Sequence, residues 1–156
     1  VGVEDESNPT FVDCEILDNV HSGVALTHKS QGTFTDCSIQ RNGFIGVWIE
    51  SDSDPTFTNC EILESRYAGI DVSEKGLGAF AGCEIRENGE SGVETSSGGN
   101  PTLEGCRING NVQYGVHVFS GGGGSFIDCD LTGNGEGAWD VNPDAEDNLH
   151  RTGCVE

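Results

Sequence analysis

Residues 8–26 read NPTFVDCEILDNVHSGVAL, and residues 31–49 read QGTFTDCSIQRNGFIGVWI. Superposing them on Cys14 and Cys37 aligns Phe11 with Phe34, Ile16 with Ile39, Asn19 with Asn42 and Gly23 with Gly46. The offset is 23 residues, and it runs without a slip through Cys14, Cys37, Cys60, Cys83, Cys106 and Cys129. Three residues before each cysteine stand Phe11, Phe34, Phe57, Phe80, Leu103 and Phe126. Two after it stand Ile16, Ile39, Ile62, Ile85, Ile108 and Leu131. Five after it come Asn19, Asn42, Ser65, Asn88, Asn111 and Asn134. Nine after it come Gly23, Gly46, Gly69, Gly92, Gly115 and Ala138. A Val-type column (Val24, Val47, Ile70, Val93, Val116, Trp139) follows, and a second one (Leu26, Ile49, Val72, Thr95, Val118, Val141) lies two positions on.

Fixed self-similarity at this period marks a repeat architecture, in which each unit buries its apolar side only against its neighbours. Within a unit the apolar residues alternate: Cys14-Glu15-Ile16 reads in–out–in, as does Val24-Ala25-Leu26. Thr10-Phe11-Val12 makes a third short stretch with Phe11 inward. Period two is the strand signature. Gly- and Asn-rich joints fall between the stretches, where tight corners need positive φ. Three strands and three corners per 23 residues describe one coil of a parallel β-helix. A leucine-rich repeat is the rival, because F-x-x-C-x-I-x-x-N imitates its strand motif. The second half of each unit, G-V-x-V, is β-branched and Gly-rich, which disfavours the helix that rival needs.

We therefore expect an all-β, single-stranded parallel β-helix of about six full coils over residues 7–142. Partial coils are expected at 1–6 and 143–156, all in one domain. Val1 and Val3 take the positions of Val24 and Leu26. Leu149 falls in the Phe column and Cys154 in the Ile column. A chain that begins and stops inside a coil reads as part of a longer protein with flanking domains.

Charge narrows the partners. There are 27 acidic against 7 basic residues, a net charge of −20. Nucleic acid needs Lys and Arg to neutralise its phosphates, so it is excluded as a partner. Basic surfaces, cations and neutral ligands remain, beside a plain solubility role. No run of about 20 apolar residues marks a membrane span. No basic-then-apolar start marks a secretory signal.

The cysteines share one phase and point inward with parallel side chains, a poor geometry for bridges. They read as a ladder of free thiols acting as small hydrophobes. No C-x-x-C or Cys/His cluster suggests zinc, and no metal or other cofactor is expected. Reduced thiols incline the location toward the cytoplasm, although buried thiols survive outside as well.

Chemistry must sit on outward columns. The most informative is Ala25, Trp48, Asp71, Glu94, His117, Asp140. The preceding corner adds His21, Phe44, Tyr67 and Tyr114. Aromatics beside stacked carboxylates suit a sugar or a polar peptide tip. Asp71 and Glu94, one coil apart, would be about 5 Å apart at Cβ. Two carboxylates that close raise one pKa, and the spacing suits a retaining glycosidase. A second row, Glu15, Ser38, Glu61, Glu84, Arg107, Asp130, reads as a surface charge ladder. The column Thr10, Thr33, Thr56, Thr102 has only a superficial likeness to an ice-binding ladder. Ala79 interrupts it, and its spacing within a strand is not doubled. Asp13, Asp36, Asn59 and Asp128 flank the cysteines at a corner, where side-chain hydrogen bonds to the turn explain them. Calcium is the alternative ligand there, although no dedicated calcium loop is present.

The alternation of N-P-T-F-x-x-C-x-I with G-x-F-x-x-C-x-I, followed by N-x-x-x-G-V-x-V, resembles the right-handed parallel β-helix repeats of the pectate-lyase-like superfamily. It is similar to the repeats called carbohydrate-binding and sugar-hydrolysis domains, and to the β-helix of an F-box substrate-recognition protein. The resemblance implies a right-handed coil and leaves function open among lyases, hydrolases and binding modules. A lyase of this superfamily would need calcium-binding acids and a Lys or Arg base on one face. Glu61, Glu84 and Arg107 meet that loosely. The Gly-His-Gly of polygalacturonases is absent, since Gly115-Val116-His117 differs. The expected function is a non-catalytic recognition module for a protein, peptide or glycan, using Trp48, Asp71, Glu94, His117, Phe44, Tyr67 and Tyr114. The alternatives are a carbohydrate-active enzyme fragment using Asp71 and Glu94, and a structural spacer.

Overall fold

A computed structural model describes residues 1–156. The chain is a right-handed parallel β-solenoid whose strands form three sheets of seven, seven and five. The Phe sheet is built from Thr10–Val12 and its equivalents up to Gly124–Ile127 and Leu149–Thr152. The Ile sheet runs from Glu15–Leu17 to Arg107–Asn109. The Val sheet runs from Gly2–Val3 through Val24–Leu26, Val47–Ile49, Ile70–Val72 and Val93–Thr95 to Tyr114–Val118 and Gly137–Val141. Every pairing is parallel, and up to Val141 each one joins residues 23 apart, such as Phe11 with Phe34 and Ile39 with Ile62.

The inward columns make one continuous core. Phe34, Phe57, Phe80, Phe126, Ile39, Ile62, Ile85 and Ile108 are all essentially inaccessible. Rung spacing dictates how the phenylalanines meet: Phe11, Phe34, Phe57 and Phe80 stack at centroid distances of 4.8, 4.5 and 4.8 Å. Each fully buried Phe contributes about 2–3 kcal/mol by removal from water. Cys37, Cys60, Cys83, Cys106 and Cys129 are buried free thiols, as the aligned phase predicts. Their hydrogen bonds repeat as well. Cys60 Sγ donates to Phe34 O at 3.5 Å and Thr58 O at 3.4 Å, and Cys129 Sγ to Leu103 O and Ile127 O. Burial pushes the Cys37 thiol up.

The residue before each cysteine is left-handed: Asp13, Asp36, Asn59, Gly82, Gly105 and Asp128 have φ from +51° to +62°. That conformation, which Asn, Asp and Gly tolerate best, accounts for the column. The expected hydrogen bonds from these side chains to the turn do not form. The column's one side-chain bond runs from Asn59 Nδ2 to Asp36 Oδ1 at 3.3 Å.

The asparagine column forms a hydrogen-bonded ladder. Asn19 donates to Asn42 at 2.9 Å, Asn88 to Asn111 at 3.0 Å and Asn111 to Asn134 at 3.0 Å. It is interrupted at Ser65, whose buried hydroxyl has no partner.

Two sequence expectations need correction. Thr33 with Thr35, and Thr56 with Thr58, flank fully buried phenylalanines and both reach solvent. Threonine spacing is therefore doubled on those two strands. The last coil is also longer. Gly124 pairs with Leu149 and Phe126 with Arg151, a step of 25 residues. The two extra residues lie in the corner after Val141, which holds a 3₁₀ turn at Glu146–Asn148. Arg151, not Leu149, thus falls in the Phe column, and its guanidinium lies 4.7 Å from the Trp139 ring centroid. Cys154 takes the cysteine position, donating to Phe126 O at 3.4 Å and Thr152 O at 3.7 Å, not the Ile position. No helix is long and apolar enough to cross a membrane.

Candidate functional site

The outward row of the Val sheet is continuous. Asp71 pairs with Trp48 on one side and Glu94 on the other; Glu94 pairs with His117, and His117 with Asp140. Ala25, Trp48, Asp71, Glu94 and His117 are only half-buried despite facing outward, because side chains rise on both flanks. One flank is the corner column His21, Phe44, Tyr67, Glu90, Gln113, Glu136. The other is the column Thr27, Glu50, Ser73, Ser96, Phe119, Asn142, two residues beyond the floor and on the same face by strand alternation. The row and its two flanking columns make a candidate groove along the solenoid axis, hollowed at its Trp48 end.

Its electrostatics follow from this half-burial. Burial pushes the Asp71 carboxyl up to about 6, with Ser73 opposing and the Glu50 charge adding to the rise. Glu94 is pushed up to about 7 by burial first, then by the charges of Glu90 and Asp71, against the pull of Ser91. The charge of Asp71, one rung away, thus disfavours the charged form of Glu94 on top of burial,. Two adjacent carboxyls that hold a proton near neutral pH can give and accept it.

Beyond Glu94 the floor is an imidazole. His117 Nε2 lies 3.3 Å from Asp140 Oδ2. Its Nδ1 is buried without a partner. Phe119 stacks on its ring at 3.8 Å and Tyr114 meets it edge-on at 5.7 Å. At the other end Trp48, Phe44, His21 and Ala25 line an open hollow of about 460 Å³. Phe44 and Tyr67 meet edge to face at 5.0 Å, and the Arg66 guanidinium lies 5.5 Å from the Tyr67 ring.

The structure thus brings Trp48, Asp71, Glu94 and His117 into one line and sets Phe44 and Tyr67 on its flank. Tyr114 separates from those two. It stands one column closer to the strand, opposite Gly137, and belongs to the His117 end. Phe119, Glu50, Glu90 and the Asp140 partnership were not singled out from sequence. Phe119 was legible there, since it lies two residues after His117 and alternation puts both on one face. No group of three or more His, Cys, Asp or Glu side chains is placed to hold a metal ion, at the Asp13 corner or elsewhere.

The sequence profile of a right handed beta helix region matches residues 1–150. No curated protein matches by sequence. Among solved structures, two mutant forms of a periplasmic alginate epimerase superpose with TM-score 0.83 at 15% identity, covering 99% of this chain and 42% of theirs. The A-module of Azotobacter vinelandii mannuronan C-5 epimerase superposes with TM-score 0.58 at 16% identity, covering 96% of this chain and 55% of that one. The chain therefore spans about half or less of these proteins, and at such identity the likeness is one of fold.

Proposed function

The chain belongs to the right-handed β-helix family, and on that footing we propose that its Val-sheet groove binds a polysaccharide lying along the solenoid axis. The observation that carries this reading is the unbroken row Trp48–Asp71–Glu94–His117 on consecutive rungs. Trp48 with Phe44 and Tyr67 offers apolar faces for pyranose rings, and the carboxyls accept hydroxyl hydrogen bonds. A linear repeat of side chains suits a polymer better than a compact ligand. That the neighbours of like fold act on a carbohydrate favours a glycan over a peptide. The double variant Trp48→Ala with Tyr67→Ala should abolish retention in a polysaccharide affinity gel while leaving far-UV circular dichroism unchanged. Retention by the folded double variant would refute this placement. Loss of all binding in the wild-type chain would leave the structural spacer as the surviving reading.

A second reading, acid–base catalysis on the bound glycan, is favoured by the elevated carboxyl pKa values of Asp71 and Glu94. Enzymes tune carboxyls upward in this manner. Turnover of the retained polymer that disappears in Asp71→Asn, with retention kept, would support it. Unaltered turnover in that variant would remove it.

A further inference from the structure

We infer that the polymer taken by this groove is uncharged, a neutral glycan, and that polyuronates such as alginate are excluded from it. The inference rests on the glycan reading of the groove and concerns its ligand class.

The grounds are the placement of charge. The floor carries Asp71, Glu94 and Asp140, and the flanks add Glu50, Glu90 and Glu136. No lysine or arginine occupies any floor or flank position. Arg66 lies against the Tyr67 ring and is the single arginine close to the groove. The others are committed elsewhere. Arg41 pairs with Asp18, Arg86 and Arg107 with Glu84, and Arg151 with Glu146 over Trp139. Lys29 and Lys75, the only lysines, sit in the left-handed turns of the next corner. Adjacent rungs are about 4.8 Å apart. A polymer threaded along the axis therefore places each sugar within about one rung of an acidic side chain. A uronate carboxylate at that range meets like charge, with Arg66 the one side-chain cation nearby against six acidic groups, on a chain whose net charge is −20,.

Neutral sugars suffer no such penalty. Their hydroxyls donate to the same carboxylates, and charge-assisted bonds of that kind are the stronger class. The acidic floor that repels a polyuronate is thus a hydrogen-bonding surface for an uncharged chain. This separates the groove from the substrate named for its structural neighbours, with which it shares the coil and 15–16% of its sequence.

The test is a matched pair. Alginate and its carboxyl-reduced derivative share a backbone and differ in charge. Both are run with neutral mannan and β-glucan in affinity electrophoresis at pH 8, at low ionic strength and with a chelator present, so that no cation bridges carboxylates. Retention by neutral polymers, with alginate bound about tenfold or more weakly, is the expected result. Alginate held as tightly as its reduced form would overturn the inference and leave the glycan reading intact. Retention of no polymer at all would overturn both. The variant Glu90→Lys with Glu136→Lys alters only flank positions. It should raise alginate affinity about tenfold, and an unchanged affinity counts against the charge argument.

Discussion

Glu94 concentrates the residue-scale consequences. Its folded pKa, about 7, lies above its ordinary value of 4.5. The native state therefore holds a proton that the unfolded chain releases. By linkage, this contribution is fully present below about pH 4 and is lost as pH rises through about 7. Removing the charge should reverse the loss. Glu94→Gln is expected to be about 1–2 kcal/mol more stable than the parent at pH 8, after allowance for solvent screening, and no different at pH 4. Urea melts at the two pH values check it, and equal gains at both would refute the burial argument. Gly69 makes the opposite point. A Cβ there would come 2.6 Å from Ile85 Cγ2, 2.7 Å from Asn88 Nδ2 and 2.8 Å from Gly92 O. Gly69→Ala should cost about 2–3 kcal/mol by overpacking, read as a lower denaturation midpoint. Alternation along the strand told which face Glu94 occupies. It could not tell how high the flanking side chains rise, so the half-burial that is the main cause of the raised pKa was invisible, and only the smaller contribution of the neighbouring Asp71 charge could be foreseen. The run of glycines from Gly23 to Gly115 was plain, whereas its cause at Gly69, the close approach of Ile85 and Asn88, was not.

At the scale of the element, the ladders are the unit of stability. The asparagine ladder breaks where Ser65 replaces the amide, and two polar groups are left poorly served: the Ser65 hydroxyl, and Asn42 Nδ2, which reaches Ile16 O at 3.4 Å. Gly46 faces Ser65 as Gly23 faces Asn42 and Gly69 faces Asn88, so the space for an amide is already shaped. Ser65→Asn should restore the run and add about 1 kcal/mol. A lower melting temperature would show that the gap is tuned to serine. The thiol ladder predicts graded reactivity. Under native conditions Cys14 and Cys154, which are partly exposed, should react with a thiol reagent, while the five buried thiols do so only in denaturant. Fast titration of all seven would contradict the packing. The inward phase of the thiol ladder was legible from spacing alone, whereas the asparagines were legible only as a column at a corner. The left-handed corner before each cysteine was misread as a hydrogen-bonded turn, because Asp and Asn serve both purposes and a sequence does not distinguish φ from a side-chain bond.

For the whole molecule, the period carried the fold to Val141 and then failed. The Gly124–Leu149 step of 25 residues has no signature in the columns. Leu149 and Cys154 are both apolar enough to fit the 23-residue register of the earlier coils, and only pairing tells which coil position they take. The repeat itself gives a molecular prediction. Each coil touches only its neighbours, so the cost of Phe57→Ala, about 3–5 kcal/mol, should fall on adjacent coils first. Hydrogen exchange that accelerates evenly along the chain would argue for a single cooperative block instead.

Seventeen residues other than glycine hold positive φ, and six of them are aspartates: Asp5, Asp13, Asp18, Asp36, Asp52 and Asp128. Half of the chain's aspartates are therefore present where the backbone bends the wrong way for most side chains, a habit in which Asp and Asn are favoured. Six of the 27 acidic residues that colour this protein thus have a conformational origin. Neutralising those six with asparagine should lighten its charge while leaving its shape and its groove alone.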